Sequence, residues 1–194
     1  MTGVQTCALP IYFIYRVNSP EDAPSGMSKR LRGRSLYLTL LCEAIANKIV
    51  LDLNLDSTNI LFCGGGRFTI IAPNTKKTDE IIREIDFKIN EFFIKKFNAE
   101  LYLALVSTPV CGDDLGNFSK VLSKLTALLN ENKKHKFHNH LANIFKIEDE
   151  VNYEVCAVCG NEAPRDDFCS ECHSHEDLGK SVANASSKDR KSVV

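Results

Sequence analysis

The chain has 194 residues, a formal net charge of -1 and 44% hydrophobic residues. That length holds one ordinary domain and a small attachment, and the apolar fraction excludes global disorder. The near-neutral balance neither points to nor excludes a nucleic-acid partner, because local patches can outweigh the sum. There is no apolar run of about 18 residues, so no membrane span is expected. The start lacks the charged and apolar regions of a secretory signal. Eight cysteines, four of them in two Cys-x-x-Cys pairs, read as metal-site usage in a reducing compartment, with a cytoplasmic location expected.

Residues 1–10 show no periodicity and resemble translated sequencing-adapter DNA, as do residues 188–194. Both ends are set aside, and the chain is expected to be an internal fragment of a larger protein. Ile11 to Val17 is apolar and aromatic, fitting a strand or a helix turn. Asn18 to Ser28, with Pro20, Pro24 and Gly26, reads as a mobile loop. A basic cluster follows, Lys29, Arg30, Arg32 and Arg34 around Gly33.

From Ser35 the spacing predicts a helix, with Leu38, Leu41, Ile45 and Ile49 on one stripe. Asn59 to Pro73 then places two β-rich runs around Gly64-Gly65-Gly66. This predicts a hairpin with a tight turn. Its glycines leave the backbone open to a ligand, because no Cβ intervenes. A second helix is expected from Thr78 to Phe97, with Thr78 as its N-cap. Ala99 to Val106 reads as a strand covered on both faces. Helix, hairpin, helix and strand in this order are the middle of a β-α-β-β-α-β unit.

Asp113 and Asp114, between Gly112 and Gly116, read as a turn or helix cap. Phe118 to Asn130 is a third helix. Glu131 to His140 is basic, with Lys133, Lys134 and Lys136, and fits either a solvated linker or a phosphate-backbone contact. His138 and His140 form a weak metal pair. Cys156, Cys159, Cys169 and Cys172 give the most specific chemical signal. Two tight turns can place four thiolates on one ion, and four thiolates leave no open position for water, so a structural Zn²⁺ is expected. An iron–sulfur centre or two redox dithiols is the other reading. His173 and His175 beside them are read as supporting or exposed residues.

Phe13-Ile14-Tyr15-Arg16-Val17, Leu31-Arg32-Gly33-Arg34-Ser35-Leu36-Tyr37-Leu38, Cys63-Gly64-Gly65-Gly66-Arg67-Phe68, Ala72-Pro73-Asn74-Thr75, the two cysteine pairs and Asp177-Leu178-Gly179-Lys180 follow one another in this order. Together they resemble the large polymerase-like subunit of type III-A CRISPR effector complexes. The resemblance implies an α+β chain. Residues 11–115 would be a ferredoxin-like palm of the nucleotide cyclase and GGDEF kind, and residues 116–187 a helical, zinc-bearing linker domain. It also implies a subunit that makes cyclic oligoadenylate from ATP and takes part in single-stranded DNA cleavage. Its partners would be the other effector subunits, CRISPR RNA and target RNA through the complex, and a second palm of the parent chain.

Within that family the catalytic palm carries two aspartates at the hairpin tip. Here glycine and arginine stand there, so no catalytic residue is expected in this chain. Gly64, Gly65, Gly66, Arg67 and Arg34 are the expected nucleotide-binding residues, with ATP and Mg²⁺ held in the full-length composite site. The family's first palm strand would fall where residues 1–10 stand. Without it, an interior gap and a poorly stable, inactive fragment are expected. Two other readings stay open: a freestanding, degenerate cyclase-like module that binds a nucleotide, and a nucleic-acid-binding zinc protein.

Overall fold

The computed structural model describes residues 2–7, 11–15, 26–144, 154–163 and 168–191. The chain forms two compact units, one of Met1–Leu9 with Thr39–Lys146 and one of Pro10–Leu38 with Ile147–Val194. Residues 16–25, which cover most of the proline-bearing loop, lie outside the described residues, as do 164–167 and 192–194.

The first unit is built on one sheet. Its strands are β1 (Thr2–Cys7), β2 (Ile60–Gly64), β3 (Arg67–Ala72) and β4 (Leu105–Pro109), in the spatial order β2-β3-β1-β4. Every pair is antiparallel. Helix α1 (Ile11–Tyr15) and the long helix α2 (Met27–Asp52) lie between β1 and β2 in sequence, and α3 (Lys76–Phe97) lies between β3 and β4. This is a split β-α-β-β-α-β arrangement.

The sheet corrects one expectation. The interior position is filled, not vacant: Thr2 to Cys7 pairs with β3 from Thr2↔Ala72 to Cys7↔Arg67. Its other edge pairs with β4 from Thr2↔Pro109 to Thr6↔Leu105. Ladder hydrogen bonds come from the main chain, so a segment with no apolar periodicity can still occupy a central strand. The expected interior gap is absent, and the instability argued from it loses its premise.

Helix α2 begins at Met27, eight residues before the expected Ser35, so the basic cluster lies on a helix. Gly33 obscured this, because glycine costs a helix interior about 1 kcal/mol. Helix α3 is capped by Thr75, whose hydroxyl accepts a hydrogen bond from the Thr78 amide at 3.2 Å. Thr78 is therefore the capped residue, not the cap. Ile82, Ile85, Phe93 and Phe97 are buried along α3. Phe68 and Ile70 of β3 are fully buried.

The fourth strand starts later than Ala99, although Leu101 to Leu105 are all buried. The side chain of Asn90 explains this. Its Oδ1 accepts from the Leu103 amide at 2.9 Å and its Nδ2 donates to the Leu103 carbonyl at 3.0 Å. One amide side chain thus satisfies backbone groups that a neighbouring strand would otherwise pair.

After β4, the short helix α4 (Gly112–Leu115) is capped as expected, with Asp114 accepting from the Cys111 amide. Helix α5 (Phe118–Asn132) packs on β1 and β4 and buries Val121, Leu125 and Leu129. Helix α6 (Leu141–Ile144) follows.

Asp86 on α3 is partly buried and donates no charge cheaply. Burial pushes its carboxyl up to about 6 from 3.8, against the pull of His138 and of hydrogen bonds from Asn90 and the Leu105 backbone. A folded-state pKa above the unfolded one means the native protein holds an extra proton between them. Native stability should therefore fall as pH rises from about 4 to about 6. Asp86→Asn removes that loss. Urea unfolding should show it more stable than the parent by about 1–3 kcal/mol at pH 7, with the gain vanishing near pH 4. An equal difference at both pH values would contradict this.

Candidate functional site: a four-cysteine centre and a glycine hairpin

The second unit carries the cysteines. Strands β5 (Glu154–Val155) and β6 (Glu162–Ala163) form a small antiparallel hairpin, and helix α7 (Ser170–Lys191) follows. The first pair lies in the hairpin turn. The Gly160 amide donates to the Cys156 carbonyl at 2.7 Å, and the Cys156 amide donates to the Asn161 carbonyl at 2.7 Å. Gly160 has φ of 75°, a left-handed conformation that a side chain would strain. The second pair straddles the start of α7. There hydrogen bonding from Cys159 and Cys172 draws the Cys169 thiol down, while hydrogen bonding to Cys159 and Cys169, together with burial, pushes the Cys172 thiol up.

The four sulfurs are buried, and all lie within 4.8 Å of one another. Cys156 and Cys172 sulfurs are 3.9 Å apart, and those of Cys159 and Cys169 are 3.4 Å apart. A tetrahedron with Zn–S bonds of about 2.3 Å has edges of about 3.8 Å. The cluster therefore fits a tetrahedral metal ion such as Zn²⁺. The thiols also show why a cation suits them. Hydrogen bonding from Cys159 and Cys172 pulls the Cys169 thiol down, while its partner Cys159, bonded to Cys169, is pushed up to about 11. Four thiolates cannot coexist here without positive charge.

The residues around the cluster are tightly interlocked. Arg34 is buried at 4% exposure. Its Nη1 donates to the carbonyls of Phe13 at 3.3 Å and Ile14 at 3.4 Å. Its Nη2 donates to the sulfur of Cys172 at 3.7 Å. Arg30 forms a 3.0 Å ion pair with Glu176. His175 is buried and meets the rings of Phe13 and Tyr37 edge-on, while His173 is exposed. The sequence reading missed this association of α2 with α7. Its available signals were two glycines inside helical patterns, Gly33 and Gly179, and the i,i+4 spacing of Arg30 and Arg34.

In the first unit, β2 and β3 meet at Gly65 and Gly66, with φ of 57° and 75°. Positive φ at both central residues is the primed turn that matches strand twist. A Cβ at Gly65 would meet nothing within 4 Å, so the tip is open. Arg67 is exposed beside it. The tip sequence, Cys63 to Phe68, holds no carboxylate. Arg34, expected to join these residues at a nucleotide, is instead engaged with Phe13, Ile14 and Cys172.

The basic segment at 133–140 is folded against the first unit. Lys134 pairs with Glu131 at 2.8 Å. His140 is buried, stacked on Phe87 at 4.3 Å, with its Nε2 against the Phe87 carbonyl. His138 instead contacts the His135 carbonyl. Among the described residues, the histidines join no cluster of metal-ligating groups.

Comparison with known proteins gives a consistent picture. The family model described as Csm1 subunit domain B matches residues 1–150. The chain is 27% identical over 179 residues to a CRISPR system single-strand-specific deoxyribonuclease Cas10/Csm1 (subtype III-A) of Enterococcus italicus, covering 89% of this chain and 22% of the relative. It is 33% identical over 158 residues to the protein of the same description from Thermococcus onnurineus, covering 78% and 20%. Among solved structures, a Csm1-Csm4 cassette in complex with AMPPNP superposes with a TM-score of 0.65 at 30% identity, covering 75% of this chain and 20% of that one. A cassette in complex with cA4 gives 0.64 at 31% identity, covering 73% and 20%. The chain thus spans about a fifth of the length of the proteins it matches.

Proposed function

This chain belongs to the Csm1 subunit domain B family, and on that premise we propose that it serves within a cytoplasmic type III-A CRISPR effector subunit that makes cyclic oligoadenylate from ATP and takes part in single-stranded DNA cleavage. The sheet unit acts as a ferredoxin-like, cyclase-type palm, and the cysteine-bearing unit acts as a linker. The partners are the other effector subunits, with CRISPR RNA and target RNA reached through them, and a second palm that supplies the catalytic carboxylates.

The observation that carries this reading is the hairpin tip. Nucleotidyl transfer needs carboxylates to hold Mg²⁺ against a triphosphate. A tip of three glycines and an arginine cannot ligate that ion through side chains. It can approach a nucleotide closely with its backbone, and Arg67 is exposed to meet phosphate as a charge-assisted fork. This palm would therefore hold ATP and help to close a composite pocket, while carboxylates of the other palm would hold the Mg²⁺ that neutralises the triphosphate. The isolated chain forms no cyclic product.

A structural Zn²⁺ on Cys156, Cys159, Cys169 and Cys172 completes the proposal. Four thiolates would close its coordination, so it would supply folding energy and no activated water.

The test uses the complete subunit, assembled with its partners. Arg67→Ala should raise KM for ATP by about 10- to 100-fold, the worth of one hydrogen bond to a charged group, with zinc content unchanged. An unchanged KM would overturn the assignment of the hairpin. Absence of cyclic product from the unmutated assembly would overturn the activity itself.

A further inference from the structure

We propose that Arg34 is the charge partner of the metal-bound thiolates, donating to the Cys172 sulfur and tying helix α1 to the cysteine centre. The inference rests on the reading of the four cysteines as a metal site and goes beyond it.

A divalent ion with four thiolates carries two excess negative charges. The cluster is buried, with Cys156 at 0% and Cys172 at 2% exposure, so water does little to solvate that charge. A guanidinium is permanently positive, and burying it is costly unless it meets acceptors and an anion. The two needs answer each other here. Arg34 is itself 4% exposed, and its Nη2 lies 3.7 Å from the Cys172 sulfur. Its Nη1 reaches the Phe13 and Ile14 carbonyls at the C-terminal end of α1, and its charge lies 5.7 Å from the Phe13 ring centre. One planar fork thus bridges a thiolate, a helix end and an aromatic face.

The geometry that allows this is specific. Arg34 follows Gly33, and Gly33 is pressed against the His175 carbonyl on α7, one turn beyond Cys172. The close crossing brings the first half of α2 near enough for its arginine to reach the sulfur. Donors around a metal ligand set its orientation and basicity, and removing one weakens metal binding by about 10- to 100-fold.

Cobalt(II) is the probe, because its thiolate charge-transfer band reports on the sulfur directly. The whole chain is titrated with Co²⁺, then with Zn²⁺ against a chromophoric chelator. The unmutated chain should bind one Co²⁺ with a tetrahedral thiolate spectrum. Arg34→Gln should lose about 10- to 100-fold in affinity and move the charge-transfer band to lower energy, since an N–H donor stabilises the sulfur lone pairs. Arg34→Lys keeps the charge without the fork and should lie between the two. Equal losses in both variants with an unmoved band would mean that Arg34 only docks α1, and would overturn the proposal, as would Arg34→Gln binding within about twofold of the parent. Should Arg34→Gln fail to fold with saturating Zn²⁺, the band position in Arg34→Lys decides alone, and no shift overturns it. Failure of the unmutated chain to bind Co²⁺ would overturn the metal reading, a result separate from the variant comparison.

Discussion

Gly179→Ala is expected to be the most damaging small substitution in the cysteine-bearing unit. A Cβ at Gly179 would stand 1.8 Å from the Lys29 carbonyl oxygen on α2. The contact is reciprocal, because a Cβ at Gly33 would stand 1.7 Å from the His175 carbonyl oxygen on α7. Both obstacles are backbone, which no rotamer change can move. The helices must separate, and everything that depends on their approach goes with them. That includes the part-buried Arg30–Glu176 ion pair at 3.0 Å and the Arg34 bond to Cys172. Overpacking costs about 1–3 kcal/mol, and the lost Arg30–Glu176 contact adds to it. Either variant should therefore lose about 2 kcal/mol or more, and the double variant should cost less than the sum, since both force the same separation. Gly112→Ala is the control, because a Cβ there meets nothing within 4 Å. Hydrogen exchange along α2 and α7 reads the result. Parent-like protection in Gly179→Ala would contradict the crossing.

Cys172→Ser should be comparably severe through a different cause. The hairpin of β5 and β6 is only two residues per strand. Among the described residues, the buried cluster there is the four cysteines with Val158, joined by Ala163 and Phe168. That is too little apolar surface to fold unaided, so metal binding must provide the rest. Structural zinc contributes about 10–16 kcal/mol of apparent binding free energy in small metal-folded units. Loss of one ligand, or addition of a strong chelator, should abolish amide protection at residues 154–163. The sheet of the first unit, with its own core of Phe68, Ile70 and Leu125, should keep its protection. Mass spectrometry under native conditions should find one zinc in the parent and none in the variant. A parent without metal, or a variant that keeps its protection, would contradict the account.

The legible parts of this sequence were those carried by short-range chemistry. Three glycines between β-rich runs can only make a tight turn, and φ at Gly65 and Gly66 is positive as that requires. Two Cys-x-x-Cys pairs converge on one centre because each turn fixes its own two sulfurs. The boundaries that slipped were set by partners distant in sequence. Asn90 took over the backbone of Leu103 and delayed β4. The helix was begun at Ser35, past Gly33, whose close approach to α7 shows only in the fold. The charge of Arg34 is plain in sequence, but its burial and its bond to the Cys172 sulfur are not. The first strand was set aside on resemblance, while the ladder around β1 depends on main-chain bonds to β3 and β4.

The central claim is that this chain is one palm and one linker of a larger effector subunit. Long-read sequencing of the source locus across both ends of the reading frame tests it most directly. The account predicts that the frame runs on into the rest of such a subunit, including a second palm with carboxylates at its hairpin tip. A frame that starts at Met1 and stops after Val194 would contradict it and leave a freestanding nucleotide-binding module as the reading to pursue.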